Sequence, residues 1–154
     1  MKYLFLIVSI GIAQGAGLIG SFFTVGAVDT WFTTLAKPAW NPPSWVFGPV
    51  WITLYTLMGV AAFLIWQRRE VQGAKLALVV YGVHLILNAL WSVLFFGLRN
   101  PGLAFAEILI LLVFIVVTTI LFWRINTWAG ALLLPYLTWV SFATFLNYTI
   151  WQLN

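Results

Sequence analysis

Residues 26–51 read GAVDTWFTTLAKPAWNPPSWVFGPVW, set between two uncharged apolar runs. Over the first twenty of them, Asp29, Lys37 and Asn41 stand among Pro38, Pro42 and Pro43 and the aromatic side chains Trp31, Phe32, Trp40 and Trp45. A helix through Pro42-Pro43 loses backbone donors and drives the proline rings into preceding carbonyls. The segment therefore leaves the hydrocarbon region, although it is too aromatic to float in water. A connector of about twenty residues is long enough to carry function. The expectation is a loop folded back as a lid over one end of a helical bundle, with Trp31, Lys37, Pro38, Trp40, Asn41 and Pro42 as lid residues.

The runs on either side set the class of protein. Of 154 residues 64% are hydrophobic and only 6% charged, against roughly 25% charge in a soluble domain, and mean hydropathy is +1.06. So few charges cannot cover a soluble surface. This is an integral membrane protein. A crossing takes about 20 helical residues, and five fit: Tyr3–Val25, Trp45–Trp66, Gly73–Gly97, Pro101–Trp123 and Trp128–Trp151. The fold class is all-α, a bundle of five transmembrane helices in one domain over 1–154, with the long first loop capping one end. The first run also has the outline of a secretory signal peptide, Lys2 followed by apolar residues and small ones near 13–17. It runs on through Leu18, Ile19, Phe22 and Phe23, which favours a retained helix. Its Gly11 and Gly15, four apart, would let another helix approach closely.

Smaller signals complete the frame. Pro49 falls in the first turns of the second span, where proline is tolerated. Arg99-Asn100-Pro101 reads as a turn with Asn100 as N-cap and Pro101 at the first helical position. Pro135 should kink the last span by freeing the carbonyl of Ala131. Short connections make neighbouring helices antiparallel. Lys2, Arg68, Arg69, Lys75 and Arg124 fall on one side, Lys37 and Arg99 on the other, so the positive-inside bias places the amino terminus in the cytoplasm and the loop and carboxyl terminus outward. The expected location is a bacterial cell membrane. No basic run beyond Arg68-Arg69 exists to track phosphates, so nucleic acid is excluded as a partner. There is no cysteine, hence no disulfide or thiolate chemistry.

Polar groups inside the spans locate a candidate site. Tyr81, His84, Asn88 and Ser92 share one stripe of the third helix, which must face the bundle to avoid unpaired groups in lipid. They form either a ligand surface, bordered by Trp91, or a seam that only pairs with neighbouring helices. His84 is the single histidine, and no patterned carboxylates stand beside it, so no metal site is expected. The second helix offers Trp51 and Tyr55 on one face, with Trp51 roughly 9 Å from the helix end at 1.5 Å per residue. The fifth offers Trp139, Ala143, Leu146 and Asn147. Three helices thus bring indole or amide groups to the half of the membrane nearest the proline-tryptophan loop. Glu107 lies about 9 Å into the fourth helix, where a bare carboxylate is costly. It is neutral, reaches the interface, or pairs with Arg99 or a helix amide. Asp29 and Lys37 fix the loop or meet water.

These residues resemble a known family. Lys37-Pro38-Ala39-Trp40-Asn41-Pro42-Pro43-Ser44-Trp45-Val46-Phe47-Gly48-Pro49-Val50-Trp51, Leu54-Tyr55, Met58-Gly59, Asn88-Ala89-Leu90-Trp91-Ser92, Phe95-Phe96, Pro135-Tyr136-Leu137-Thr138-Trp139 and Phe142-Ala143-Thr144-Phe145-Leu146-Asn147 are similar to the tryptophan-rich sensory or translocator protein (TspO/MBR) family. The resemblance covers nearly the whole chain. It implies a five-helix bundle, usually a homodimer, whose pocket is closed by the first loop and binds porphyrins and, in some members, sterols and synthetic apolar ligands. Trp51 and Trp139 match the indoles lining the tetrapyrrole pocket, linked in bacterial relatives with light-dependent porphyrin breakdown; Asn88, Ala143 and Leu146 match positions at or beside it. With the residues placed by spacing, the candidate ligand set is Trp51, Tyr55, His84, Asn88, Trp91, Trp139, Ala143 and Leu146. The family's sterol pattern is incomplete here: Leu146-Asn147-Tyr148 is followed by no cation before Asn154.

Four function classes follow. A receptor or sensor binding a porphyrin or other apolar small molecule leads, with the porphyrin as ligand or substrate and no separate cofactor. Light-dependent degradation at Trp51 and Trp139 is the second, because no conventional acid, base or nucleophile constellation is present for dark catalysis. Porphyrin or sterol transport, by moving the loop or using the dimer interface, is the third, and a proton relay through Glu107 and His84 a minor variant of it. A purely structural bundle is the last, and the tryptophan cluster in the loop argues against it.

Overall fold

The computed structural model describes residues 1–154. Its helices are α1 (Lys2–Val28), α2 (Ser44–Trp66), α3 (Ala74–Ser92), α4 (Pro101–Ile125), α5 (Thr127–Leu132) and α6 (Leu134–Leu153). Together they make five spans long and apolar enough to cross a membrane, α5 and α6 sharing the fifth. The expected five-span all-α bundle is therefore what the chain forms. The spans close into a ring: α1 packs on α2 and α3, α3 on α4, α4 on α5 and α6, and α2 on α5.

Two local departures shape the ring. The fifth span is not one helix. It breaks at Leu133, two residues before Pro135, because proline supplies no N–H to the helix and crowds the turn before it. The third span does not stay α-helical to Gly97. From Val93 it widens, with Leu98 N–H reaching back five residues to Val93 O at 2.8 Å, a type of local widening frequent at functional sites. The following turn is as the sequence predicts: the Asn100 side chain accepts from Leu103 N–H at 3.0 Å, with Pro101 at the first helical position.

Lipid offers helices no hydrophobic drive to associate, so close packing and interhelical hydrogen bonds must do it. α1 and α2 show both. A Cβ on Gly59 would sit 2.5 Å from Ile10 Cα. Ser9 Oγ donates to Gly59 O at 2.7 Å, and Gln14 Nε2 donates to Ile52 O and Thr56 Oγ1, both at 3.0 Å. The close approach is thus made by Gly59 and, against Tyr55, by Gly17. Gly11 and Gly15 face open space. At the opposite end from the loop, Arg68 donates to Ile125 O at 2.8 Å, placing a cation on the carbonyl end of α4 where the helix dipole favours it.

Glu107 narrows an expectation. It is 6% exposed, with neither carboxyl oxygen partnered, so it pairs with neither Arg99 nor an amide and does not reach the interface. The chain's one ion pair is Arg69–Glu70, at 3.9 Å near the surface.

The connector docks as a lid on the ends of α3 and α6. Phe32, in a single tight turn, is buried against Phe95 and Phe96, and Trp31 meets the same rings edge-on. Trp40 stacks on Phe145 at 5.4 Å. Lys37 fixes the loop: its Nζ donates to Phe32 O at 2.7 Å and Leu35 O at 3.0 Å and lies over the Phe32 ring. The Pro38 carbonyl closes a turn by accepting from Asn41 N–H, and the Asn41 amide leans on Pro42 O. Asn154 clamps Ala36 in both directions, accepting from its N–H at 3.0 Å and donating to its carbonyl at 2.9 Å. Asn154→Ala should remove both bonds. At about 0.5–1.5 kcal/mol per bond, losing both should quicken the exchange of the Ala36 amide with deuterium by roughly 5- to 150-fold. An unchanged rate would mean the clamp does not hold the loop.

Candidate functional site: an aromatic cavity beneath the loop

α2 rests on α5 but parts from α6 above the Leu133 break, and a cavity of about 590 Å³ fills the space bounded by α1, α2, α3 and α6. That volume falls in the range of small-molecule sites. Phe32 and Asp29 reach it from the connector, and Ile108 and Leu111 from α4. Each remaining wall follows from helical spacing: Trp51 and Tyr55 are one turn apart on α2, Asn88 and Trp91 on α3, Trp139 and Ala143 on α6.

The aromatic groups form three walls. Trp51 stacks on Tyr55 with centroids 5.5 Å apart and meets Tyr136 edge-on at 6.4 Å. Trp139 lies between Phe47 at 6.1 Å and Phe142 at 5.5 Å. On α3, Trp91 stacks on Phe95 at 5.0 Å, and its Nε1–H donates to Asn147 Oδ1 at 2.9 Å, while Asn147 Nδ2 donates to Pro101 O. The Trp91 indole is therefore already engaged. The indole N–H of Trp139 is not: it has no acceptor within the chain.

One wall is backed by a chain of buried hydrogen bonds. Tyr55 Oη donates to Asn88 Oδ1, Asn88 Nδ2 donates to Tyr136 Oη at 2.8 Å, and Tyr136 Oη meets His84 Nε2 at 2.9 Å. His84 Nδ1 lies 2.8 Å from Tyr81 O. A carbonyl only accepts, so Nδ1 carries the proton and Nε2 of the neutral ring is the acceptor. Tyr136 must then donate to His84 and accept from Asn88, which leaves Asn88 Oδ1 to take the Tyr55 proton. With the imidazole neutral, every direction follows from one backbone carbonyl. No direct hydrogen bond joins Glu107 to this chain.

Of the eight ligand positions named from the sequence, Trp51, Tyr55, Asn88, Trp91, Trp139, Ala143 and Leu146 line the cavity. His84 does not. It is 1% exposed and stands behind the wall, touching the cavity only through Tyr136 and Asn88. The six lid residues also stay off the lining. Trp31, Lys37, Trp40 and the proline turn hold the loop in place, while its inner neighbour Phe32 faces the space. Sequence reasoning missed Tyr136, whose hydroxyl in a span called for a partner, and the α1 side of the cavity, where Gln14, Ser21 and Thr24 gave the polar signal.

A ring of five membrane-spanning helices encloses an indole-walled cavity under a docked loop, which defines an integral membrane protein with a buried pocket. The sequence narrows that class. A TspO/MBR family model matches residues 9–152, so the chain belongs to the TspO/MBR family. It is 43% identical to the tryptophan-rich protein TspO of Chlorobaculum tepidum, over 99% of this chain and 98% of that one. It is 40% identical both to the human translocator protein, over 88% and 82%, and to the tryptophan-rich sensory protein of Cereibacter sphaeroides, over 88% and 85%.

Proposed function

We propose that this protein is a membrane receptor for porphyrins and related planar apolar ligands, held in the cavity between Trp51 and Trp139. The carrying observation is that both indoles line one 590 Å³ space with Tyr55 and Asn88 on the intervening wall. A flat conjugated ring gains stacking from indole faces, and a few convergent polar groups orient it. The unpartnered Trp139 N–H supports a ligand bearing an acceptor at its edge. The name of the Cereibacter relative supports sensing, that of the human relative transport.

In this reading the amino terminus is cytoplasmic and the loop faces outward, supported by the cation distribution. The open faces of Gly11 and Gly15 support a homodimer built on α1. A second reading, light-driven porphyrin breakdown, is favoured by the position of Trp51 beside Tyr55 and Tyr136. An indole at the cavity wall would donate an electron to the excited ring or react with the oxygen species it produces.

The test is titration of purified protein with protoporphyrin in darkness, read by absorbance and tryptophan fluorescence, then repeated under illumination. Saturable dark binding is expected. Trp51→Phe and Trp139→Phe should each weaken it roughly two- to tenfold, from the about 0.5–1.5 kcal/mol an aromatic pair contributes. Product formed only in light, and lost in these variants while binding persists, would establish the second reading. Unchanged affinity in both variants would remove the ligand from this cavity.

A further inference from the structure

The cavity is closed where a loop-gated site would open and open where such a site would be closed. At the loop end, Phe32 is buried against Phe95, Trp40 stacks on Phe145, Lys37 ties the turn to its own carbonyls and Asn154 clamps Ala36. On the α6 side the lining residues are all buried or half-buried, and Phe47 meets Trp139 across the gap to α2.

Between α1 and α2 the lining changes character. Leu18 and Val25 of α1 line the cavity and are 71% and 69% exposed; Trp45 and Ile52 of α2 line it and are 74% and 62% exposed. A residue that both borders a cavity and faces outward marks an opening. These four share the half of the bundle nearest the loop, since α1 ends and α2 begins there. Nearer the other end the two helices are fastened by Ser9 to Gly59, the Gly59–Ile10 contact and the two bonds of Gln14. Above Gln14 the small Ser21 and Gly48 border the space, and a Cβ on Gly48 would meet nothing within 4 Å. α1 and α2 are thus pinned at one end and parted at the other.

We infer that this slit between α1 and α2 is a lateral portal, by which a planar apolar ligand dissolved in the bilayer enters the cavity without passing through water or displacing the loop. The inference rests on the proposed binding function for its ligand, but the opening itself does not. At this depth the medium outside the slit is hydrocarbon, so the rim should be apolar, and Leu18, Val25, Trp45 and Ile52 meet that need. Asp29, one turn beyond Val25, and Ser44 also line the cavity and are exposed, so the charged and polar part of the rim is confined to its loop end, and below it the slit is apolar but for Ser21.

The experiment uses the full chain in phosphatidylcholine nanodiscs and follows protoporphyrin binding by stopped-flow quenching of tryptophan fluorescence. Ser21→Phe places a ring in the slit without altering the lid. Association and dissociation should both slow by about tenfold, with the dissociation constant moving far less than either rate. Gly26→Phe, on the lipid side of α1 outside the lining with open space at its Cβ, should leave both rates alone. Asn154→Ala, which loosens the lid, should not speed entry. Unchanged rates in Ser21→Phe, or faster entry in Asn154→Ala, would overturn the portal while leaving the binding function standing.

A second readout needs no porphyrin. In vesicles of phosphatidylcholine brominated at mid-chain, the fluorescence component lost on Trp51→Phe should be quenched in the wild-type background and protected by Ser21→Phe. Failure of bromolipid to quench that component would show the slit shut to hydrocarbon and would sink the portal even if no porphyrin bound. Quenching with no porphyrin binding would keep the opening and refute the proposed ligand.

Discussion

Gly59→Val is expected to prevent the bundle from assembling rather than to weaken it slightly. The obstacle to a side chain there is backbone: a Cβ would lie 2.5 Å from Ile10 Cα and 2.9 Å from Ile10 N, and no rotamer change moves those atoms. α1 must shift as a body. That shift breaks the Ser9 to Gly59 bond, draws Gln14 from Ile52 and Thr56, and exposes Ala13, fully buried in the same seam. Overpacking a well-filled contact costs about 1–3 kcal/mol when side chains can adjust; here the backbone cannot, so the loss should exceed about 3 kcal/mol. Gly82→Ala, in the middle of α3, is the matched control. Its Cβ meets nothing, and removing a helical glycine should be neutral or stabilise by about 0.5–1 kcal/mol. Unfolding by a denaturing detergent, followed by circular dichroism, separates the two. Equal midpoints for Gly59→Val and the parent would show that α1 and α2 do not pack through this glycine.

Tyr136→Phe should produce the second large effect, and through a different cause. The phenylalanine ring fills the same space, but His84 Nε2 loses its donor and Asn88 Nδ2 its acceptor, and both side chains are buried. Each orphaned buried group costs about 1–3 kcal/mol. Interhelical hydrogen bonds in membranes average nearer 0.6 kcal/mol, because the unfolded helices also find partners, so a total of about 2 kcal/mol is expected rather than the sum of the upper values. The loss should reach the cavity too. Asn88, freed from Tyr136, no longer has a fixed orientation at the wall, and porphyrin affinity should fall although Tyr136 is not among the lining residues. A variant as stable as the parent, with unaltered affinity, would mean that the buried chain neither supports the fold nor orients the wall.

These two residues also show what the sequence could and could not convey. The five spans were legible because about twenty apolar residues between charged or proline-bearing turns admit one reading in a bilayer. Asn100, Pro101 and Pro135 then marked a start and a break by their own backbone chemistry. Convergence of Trp51, Asn88 and Trp139 was legible because helical rise sets depth. Partners across helices were not. Spacing placed His84 on the stripe with Asn88, but only the angle between α3 and α6 decides that His84 meets Tyr136 and stands behind the cavity instead of in it.

The same limit applies to α1. Its glycines at 11, 15, 17 and 20 look alike in sequence, yet Gly17 meets Tyr55 and Gly20 meets Ser92 while Gly11 and Gly15 face outward. Rotation of the helix chooses between them, and an apolar helix with few polar residues carries little signal for rotation. Glu107 was left open for a related reason. Depth in the span predicted a costly carboxylate, and three remedies were open to it, but neither a pairing nor access to the interface is used.

That Trp51 and Trp139 face one bound porphyrin is tested most directly by letting the ligand mark its own surroundings. The protein in lipid, saturated with protoporphyrin and briefly illuminated in air, is digested and its ten tryptophans are surveyed for oxidation by mass spectrometry. Oxidation concentrated on Trp51 and Trp139 at early times is the predicted result. Oxidation centred on Trp66, Trp123 and Trp128, which are exposed on the outside of the bundle, with Trp51 and Trp139 intact, would contradict it.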